Sequence, residues 1–285
     1  MTARDPDRGD TDQPPPVVEV RDLLVRRTGR AILGPLDWTI HAGERWVVLG
    51  PNGSGKTTLL STIGLELWPT AGSVEVLGGR YGKIDSRDLR RRIGTASSAI
   101  EAILRPDLTP ATLVMTARNA ATEPWWHVYT DEDRSRARGL LERLGLAGVA
   151  DHPYATLSAG ERRRTSIARA LMPDPDLLLL DEPGASLDLG ARENLIDDLT
   201  ALAAAERPSA IVLVSHHVEE IPPGFSHALV LARGVAIGAG PLETVLSDAI
   251  LTRAYEMPIV IEWRDGRASA RKSGGATRDR HIERR

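Results

Sequence analysis

The sequence predicts an α/β fold: a parallel sheet covered by helices, an antiparallel β layer at its N-terminal side and a helical subdomain set into the core. Three observations carry this. Short, fully apolar runs at residues 177–180 and 210–214 alternate with helical stretches, as in sheets buried on both faces. A glycine-rich turn at residues 50–55 stands between a β-rich run and a stretch of helical apolar spacing. Hydrophobic residues make up 41% of the 285, enough to build a sizeable core.

Residues 1–16, MTARDPDRGDTDQPPP, are polar and proline-rich; they predict a flexible arm and offer no apolar stretch for a secretory signal. From Val17 the texture changes. Val17, Val18 and Val20, then Trp38 and Ile40, then Val47, Val48 and Leu49 form β-rich runs separated by glycine-containing turns. The last run leads into the glycine turn, after which Leu59, Leu60 and Ile63 fall at helical spacing. A strand is expected over 73–77, and a helical subdomain over about 86–159. LSAGERRRTSIARALM, from Leu157, reads as one helix stopped by Pro173 and Pro175. A strand over 177–180, a helix over 193–206 and strands over 210–214 and 229–231 complete the alternation, so 17–263 is expected to be one domain. From Arg264 the chain is charged and poor in apolar residues, and 264–285 is expected to be a loose tail.

Lys plus Arg number 36 against 39 Asp plus Glu, a formal net charge of −3. That balance does not point to nucleic acid, which is not expected as a partner. The absence of cysteine excludes disulfide and thiolate–metal chemistry and fits a reducing compartment. No apolar run approaches the ~20 residues of a membrane helix. The expected location is cytoplasmic, with attachment to the cytoplasmic face of a membrane through another chain as an option.

Gly50, Pro51, Asn52, Gly53, Ser54, Gly55, Lys56 and Thr57 fit G-x-x-x-x-G-K-[ST] at every fixed position, with Thr58 next in the helix. Glycines let the backbone wrap so that several N–H groups face one anion, and the following helix adds its positive end. Lys56 then reaches the outer phosphates of a nucleotide such as ATP, and the Thr57 hydroxyl ligates Mg²⁺. The second site is Asp181-Glu182, delivered by the apolar run at 177–180 to the strand end where α/β sheets bind ligands. Asp181 can hold Mg²⁺ and Glu182 can polarise an attacking water. Taken alone, two acids after an apolar run also read as the start of a capped helix.

A third segment, Leu157, Ser158, Ala159, Gly160 and Glu161, is similar to the signature motif of ABC ATPases. GASLD, from Gly184 to Asp188, resembles the D-loop of that family, and Ser215-His216-His217 its switch-histidine segment, with His216 as the switch. Phosphate loop, signature, acid pair, D-loop and switch histidine stand in family order, and the resemblance covers about residues 17–260. It implies a RecA-like phosphate-loop core and ATP hydrolysis supported by Glu182 and His216. It also implies a head-to-tail dimer with a second copy or a homologous subunit, each ATP lying between the phosphate loop of one and residues 158–160 of the other. An integral membrane permease is the further partner implied; a soluble ATP-switched regulatory or assembly protein is the alternative. WVVLGPNGSGKTTLL and SHHVEEIPPGF also resemble a subgroup serving metal-chelate or oxyanion uptake.

Two positions depart from the family. An aromatic that stacks on adenine is replaced by Arg27, whose guanidinium can stack on a base or stand in solvent. A glutamine near Mg²⁺ is replaced by Ser98, which has only a short hydroxyl to offer the metal. Trp125 and Trp126 follow a proline in the helical region, where the family contacts membrane subunits; core packing is the expectation, an interface anchor the alternative.

Overall fold

The apolar runs become strands because both their faces can be buried. The computed structural model describes residues 15–83, 86–185 and 187–273, without the side chains of 86 and 87. The expectations for residues 1–14, Ser186 and residues 274–285 lie outside these. In chain order the elements are β1 (Val18–Arg27), β2 (Arg30–Ile40), β3 (Arg45–Leu49), α1 (Lys56–Ile63), β4 (Ala71–Val76), β5 (Gly79–Arg80), α2 (Ser86–Arg90), β6 (Ile93–Ala96), α3 (Ser98–Ile103), α4 (Pro110–Thr116), α5 (Asp131–Arg143) and α6 (Ala159–Leu171). They continue with β7 (Leu177–Asp181), α7 (Leu189–Ala203), β8 (Ala210–Val214), β9 (His227–Ala232), β10 (Val235–Pro241), α8 (Leu242–Val245), α9 (Asp248–Tyr255), β11 (Ile259–Arg264) and β12 (Arg267–Lys272).

The core sheet runs β10-β9-β3-β8-β7-β6, with all pairs parallel except β10 on β9. Its strands split their side chains between two cores, as the two-residue period requires. Leu178, Leu180, Ile211 and Leu213 join the core under α5, α6 and α7; Leu177, Leu179, Val212 and Val214 join the core shared with α1 and the antiparallel sheet β2-β1-β4-β5. In register, Asp181 lies opposite Val214 and Val48 opposite the same residue. The chain segments after β3, β7 and β8 therefore emerge side by side at one edge of the sheet.

Three expectations are corrected. The stretch 86–159 is not wholly helical, because β6 lies within it and forms the sheet edge. This strand has almost no periodic signal: Gly94 packs against α6 so closely that a Cβ there would meet the Ala170 carbonyl oxygen at 2.2 Å. The chain beyond Arg264 is not loose up to Ser273, since β11 and β12 form a hairpin. On β12 the face toward the core is carried by small residues, Ala268 buried and Ala270 packed beside it, next to Ile259 and Ile261 of β11, and alanine gives little β signal. Two arginines of β12 are paired: Arg267 bonds both carboxylate oxygens of Glu193, and Arg271 bonds Glu262. Finally, Trp125 and Trp126 are 63% and 89% exposed rather than packed in the core. They lie on an irregular connection between α4 and α5, and Arg105 stands over the Trp125 ring, its guanidinium 5.4 Å from the centroid.

Candidate active site

The loop after β3 takes the shape its glycines allow. Gly50, Gly53 and Gly55 have φ of 150°, 78° and 100°. At Gly50 a Cβ would fall 2.1 Å from the Leu231 carbonyl oxygen, so only glycine fits. Gly55 is the N-cap of α1; no side chain caps this helix and no acid stands in its first turn. Its first N–H groups are open to an anion. Lys56 is buried and folds back on the loop, donating to the carbonyls of Gly50 at 2.8 Å and Pro51 at 3.2 Å. Its ammonium stands 3.7 Å from Glu182 Oε1. Burial lowers the Lys56 pKa, against the opposing pull of Glu182 and Asp181.

Asp181 ends β7, and its Oδ1 accepts a hydrogen bond of 3.4 Å from the Thr57 hydroxyl. Burial raises the Asp181 pKa; Thr57 opposes this and Glu182 adds to it. Glu182 has a left-handed backbone, φ 47°, unusual for a residue with a side chain. The conformation is held from both sides, by Glu182 N–H donating to Val214 O at 3.0 Å and Ala185 N–H donating to Glu182 O at 3.1 Å. His216 Nδ1 lies 3.5 Å from Glu182 Oε1. Lys56, Thr57, Asp181, Glu182 and His216 thus meet in one place, drawn from the ends of three neighbouring strands.

The residues fit a nucleotide phosphate chain with Mg²⁺. Ser54 Oγ is buried without a hydrogen-bond partner, and the space before Gly53 is open, a Cβ there meeting nothing within 4 Å. The Thr57 hydroxyl and Asp181 carboxylate are the hard oxygen donors Mg²⁺ prefers.

The other expected residues stand apart. Ser158 caps α6 in a reciprocal capping box: its N–H and Oγ donate to the Glu161 carboxylate at 2.8 and 2.9 Å, and Glu161 N–H donates back to Ser158 Oγ at 3.3 Å. The Ser158 N–H bond holds the Glu161 pKa below the usual carboxylate value. Ser158 and Ala159 are exposed, while Gly160 is buried against Ala191 and Leu187. Asp188 caps α7 through Ala191 N–H at 2.8 Å. Among the described residues, no hydrogen bond or ion pair joins residues 158–161 or Asp188 to the phosphate loop. Arg27 is exposed at the end of β1, opposite Arg30 in the hairpin, and Ser98 is the exposed first residue of α3, capped by Ser97.

Sequence reasoning overlooked a second tier. Arg163 of α6 stands 2.8 Å from Glu101 of α3, tying the helix that starts at Ser98 to the helix that starts after Ser158. Burial raises the Glu101 pKa, against Arg163. The ERRR run contained the arginine, but its partner lies 62 positions away. Tyr255, at the end of α9, reaches the loop of His216, and nothing local marks it.

The comparisons agree with this geometry. The family model described as ABC transporter matches residues 33–185. An ABC transporter ATP-binding protein of Bacillus subtilis (strain 168), YlmA, is 39% identical over 252 residues, covering 88% of this chain and 95% of its own length. A dimeric ATP-binding cassette solved in a post-hydrolysis state with ADP and Pi superposes with a TM-score of 0.68 at 26% identity, over 79% of this chain and 98% of that one. The fold is shared with an inward-facing putative metal-chelate type ABC transporter, at a TM-score of 0.72 and 22% identity, over 90% of this chain and 96% of that one. With the phosphate loop, acid pair and histidine assembled on a matching fold, the chain belongs to the ABC transporter family, as an ATP-binding and ATP-hydrolysing subunit.

Proposed function

We propose that two copies of this chain pair head to tail and drive a membrane transporter by hydrolysing ATP between them. The observation that carries this is the division of the site. Lys56, Thr57, Asp181, Glu182 and His216 converge within one chain, while Ser158, Ala159 and Asp188 lie exposed and apart, available to a second chain. In this reading Lys56 and the loop amides hold the phosphates, and Thr57 and Asp181 hold Mg²⁺. Bound Mg²⁺ supplies positive charge that offsets the negative charge of the phosphates. Glu182 polarises the attacking water, and His216, beside it, fixes the carboxylate.

The permease side is supported by a cavity of about 420 Å³ between β6 and the helical region, lined by Glu66, Arg90, Ile103, Thr122 and Arg169. From Thr122 the chain runs directly to the exposed Trp125 and Trp126, and Ile103 is itself exposed. Large apolar side chains presented to solvent around a cavity suit a partner protein, here one in the membrane. That would place the chain on the cytoplasmic face.

Glu182→Gln tests the shared site. With Mg-ATP, turnover should slow by on the order of 10²–10⁴ and the chain should run as a dimer on a sizing column. Wild-type turnover, or a chain that stays monomeric with ATP, would count against this reading. Recovery of a membrane protein with the chain from native membranes, lost on Trp126→Ser, tests the permease side.

A further inference from the structure

The loop that carries His216 is pinned on both flanks by contacts that do not touch His216 itself. Ser215 is fully buried; its Oγ accepts His217 N–H at 2.9 Å and donates to the Glu220 carboxylate. Farther on, Arg267 of β12 donates to Glu219 O at 2.9 Å, and Ala270 N–H donates to Glu219 Oε1 at 2.9 Å. Among the described residues, one hydrogen bond reaches the backbone of His216, and it comes from the C-terminal part of the chain. The Tyr255 hydroxyl donates to His216 O at 3.3 Å.

Tyr255 is well placed to hold still. It is the last residue of α9, which closes on a left-handed Glu256 whose carboxylate pairs with Arg233. Burial pushes its hydroxyl pKa up to about 12, so it remains a neutral O–H donor near neutral pH. Among the described residues the imidazole has a looser hold: Nδ1, 3.5 Å from Glu182, makes no hydrogen bond, and the ring lies against that of His217 on the same loop, with centroids 4.1 Å apart. Its place depends on the backbone that carries it.

We propose that Tyr255 is a positioning residue for hydrolysis, holding the His216 backbone so that the imidazole stands beside Glu182. The inference rests on the role given to His216 under Proposed function. Removing the hydroxyl leaves His216 O short of a partner while the ring keeps its packing.

The test is a double-mutant cycle on the full chain with Tyr255→Phe, His216→Ala and the pair, measuring kcat, KM for Mg-ATP and thermal midpoint. Tyr255→Phe should lower kcat about fivefold with KM unchanged. In the His216→Ala background the same change should cost nothing further, because the group it positions is gone. A slow His216→Ala beside a wild-type Tyr255→Phe overturns the inference alone. So does a Tyr255→Phe loss that is undiminished in the His216→Ala background, which is what general loosening of α9 would give. Wild-type turnover in His216→Ala overturns the role of His216 and this inference with it.

Discussion

The two helix starts that the proposed dimer would bring to the phosphates, those of α1 and α6, are finished in opposite ways. At α1 the N-cap is a left-handed glycine, no side chain caps the helix and no acid stands in the first turn. At α6 the N-cap is Ser158, locked to Glu161 in a capping box, with that acid in the first turn. A bare N-terminus keeps its N–H groups for a ligand, whereas a capped one has spent some of them on its own side chains. In the proposed dimer the α1 end would be the half that captures nucleotide, and α6 the self-contained surface that would meet a nucleotide already held. The same contrast appears in their surroundings: α1 is enclosed by Lys56, Asp181 and Glu182, and the tip of α6 faces solvent.

Substitutions at the two ends should separate these roles. The largest effect is expected at α1. Lys56→Ala removes the one ammonium of the loop and should weaken nucleotide binding by about a hundredfold, read by calorimetry. Unchanged affinity would break the assignment of α1 as the capturing half.

Asp181→Asn divides stability from function. Because burial holds the folded pKa of Asp181 above its ordinary value, the carboxylate costs stability that sets in as pH rises from the unfolded pKa through the folded one. Asparagine removes that cost, so at neutral pH the thermal midpoint should rise by about 2 °C while Mg²⁺-dependent hydrolysis is lost. A lower midpoint would show that the carboxylate is a net stabilising partner of Thr57 and Lys56.

At α6 the effects should be smaller. Glu161→Gln keeps the capping geometry and removes a negative charge from the helix start, so ATP-driven pairing should tighten about threefold by analytical ultracentrifugation. The pH trend runs the other way from Asp181. The folded pKa of Glu161 is depressed, so its contribution is present above the ordinary carboxylate pKa and lost as pH falls through the depressed value. If Glu161→Gln weakens pairing, the charge itself belongs to the contact.

The smallest effect belongs to Ser98. Ser98 is exposed at the start of α3, and a hydroxyl of that length would touch a bound metal only through water, so Ser98→Ala should change the ATPase rate by less than about tenfold. Ser98→Gln should tighten the Mg²⁺ dependence where Ala does not; a Mg²⁺ titration of the three forms that shows no difference would mean the loop does not face the metal.

What was legible in the sequence follows the range of the forces involved. The phosphate loop could be read because its geometry depends on consecutive residues, as the positive φ of Gly50, Gly53 and Gly55 shows. The strands at 177–180 and 210–214 could be read because burial on both faces leaves an unbroken apolar run. β6 escaped because its closeness to α6 needs Gly94, and glycine is silent about strands. The β11–β12 hairpin escaped because its ion pairs with Glu193 and Glu262 look, in one dimension, like a solvated tail. The tryptophans differ from the expectation because residue type favours burial, while their place on an irregular connection, which has no periodic buried face, is not marked by residue type. Tyr255 and the Arg163–Glu101 pair act across long sequence separations and carry no local pattern.

The division between a capturing half and a presented half is tested most directly by mixing two disabled chains. Lys56→Ala spoils the α1 half alone. Ser158→Asp spoils the α6 half alone, since aspartate still caps the helix but sets a negative charge where a phosphate would approach. Each variant by itself should be inactive. Mixed in equal amounts, they should recover roughly a quarter of the wild-type ATPase rate, half the dimers being mixed and each mixed dimer having one intact site of two. If the mixture stays as inactive as its components, the two halves do not meet across a dimer, and each chain must complete its site alone.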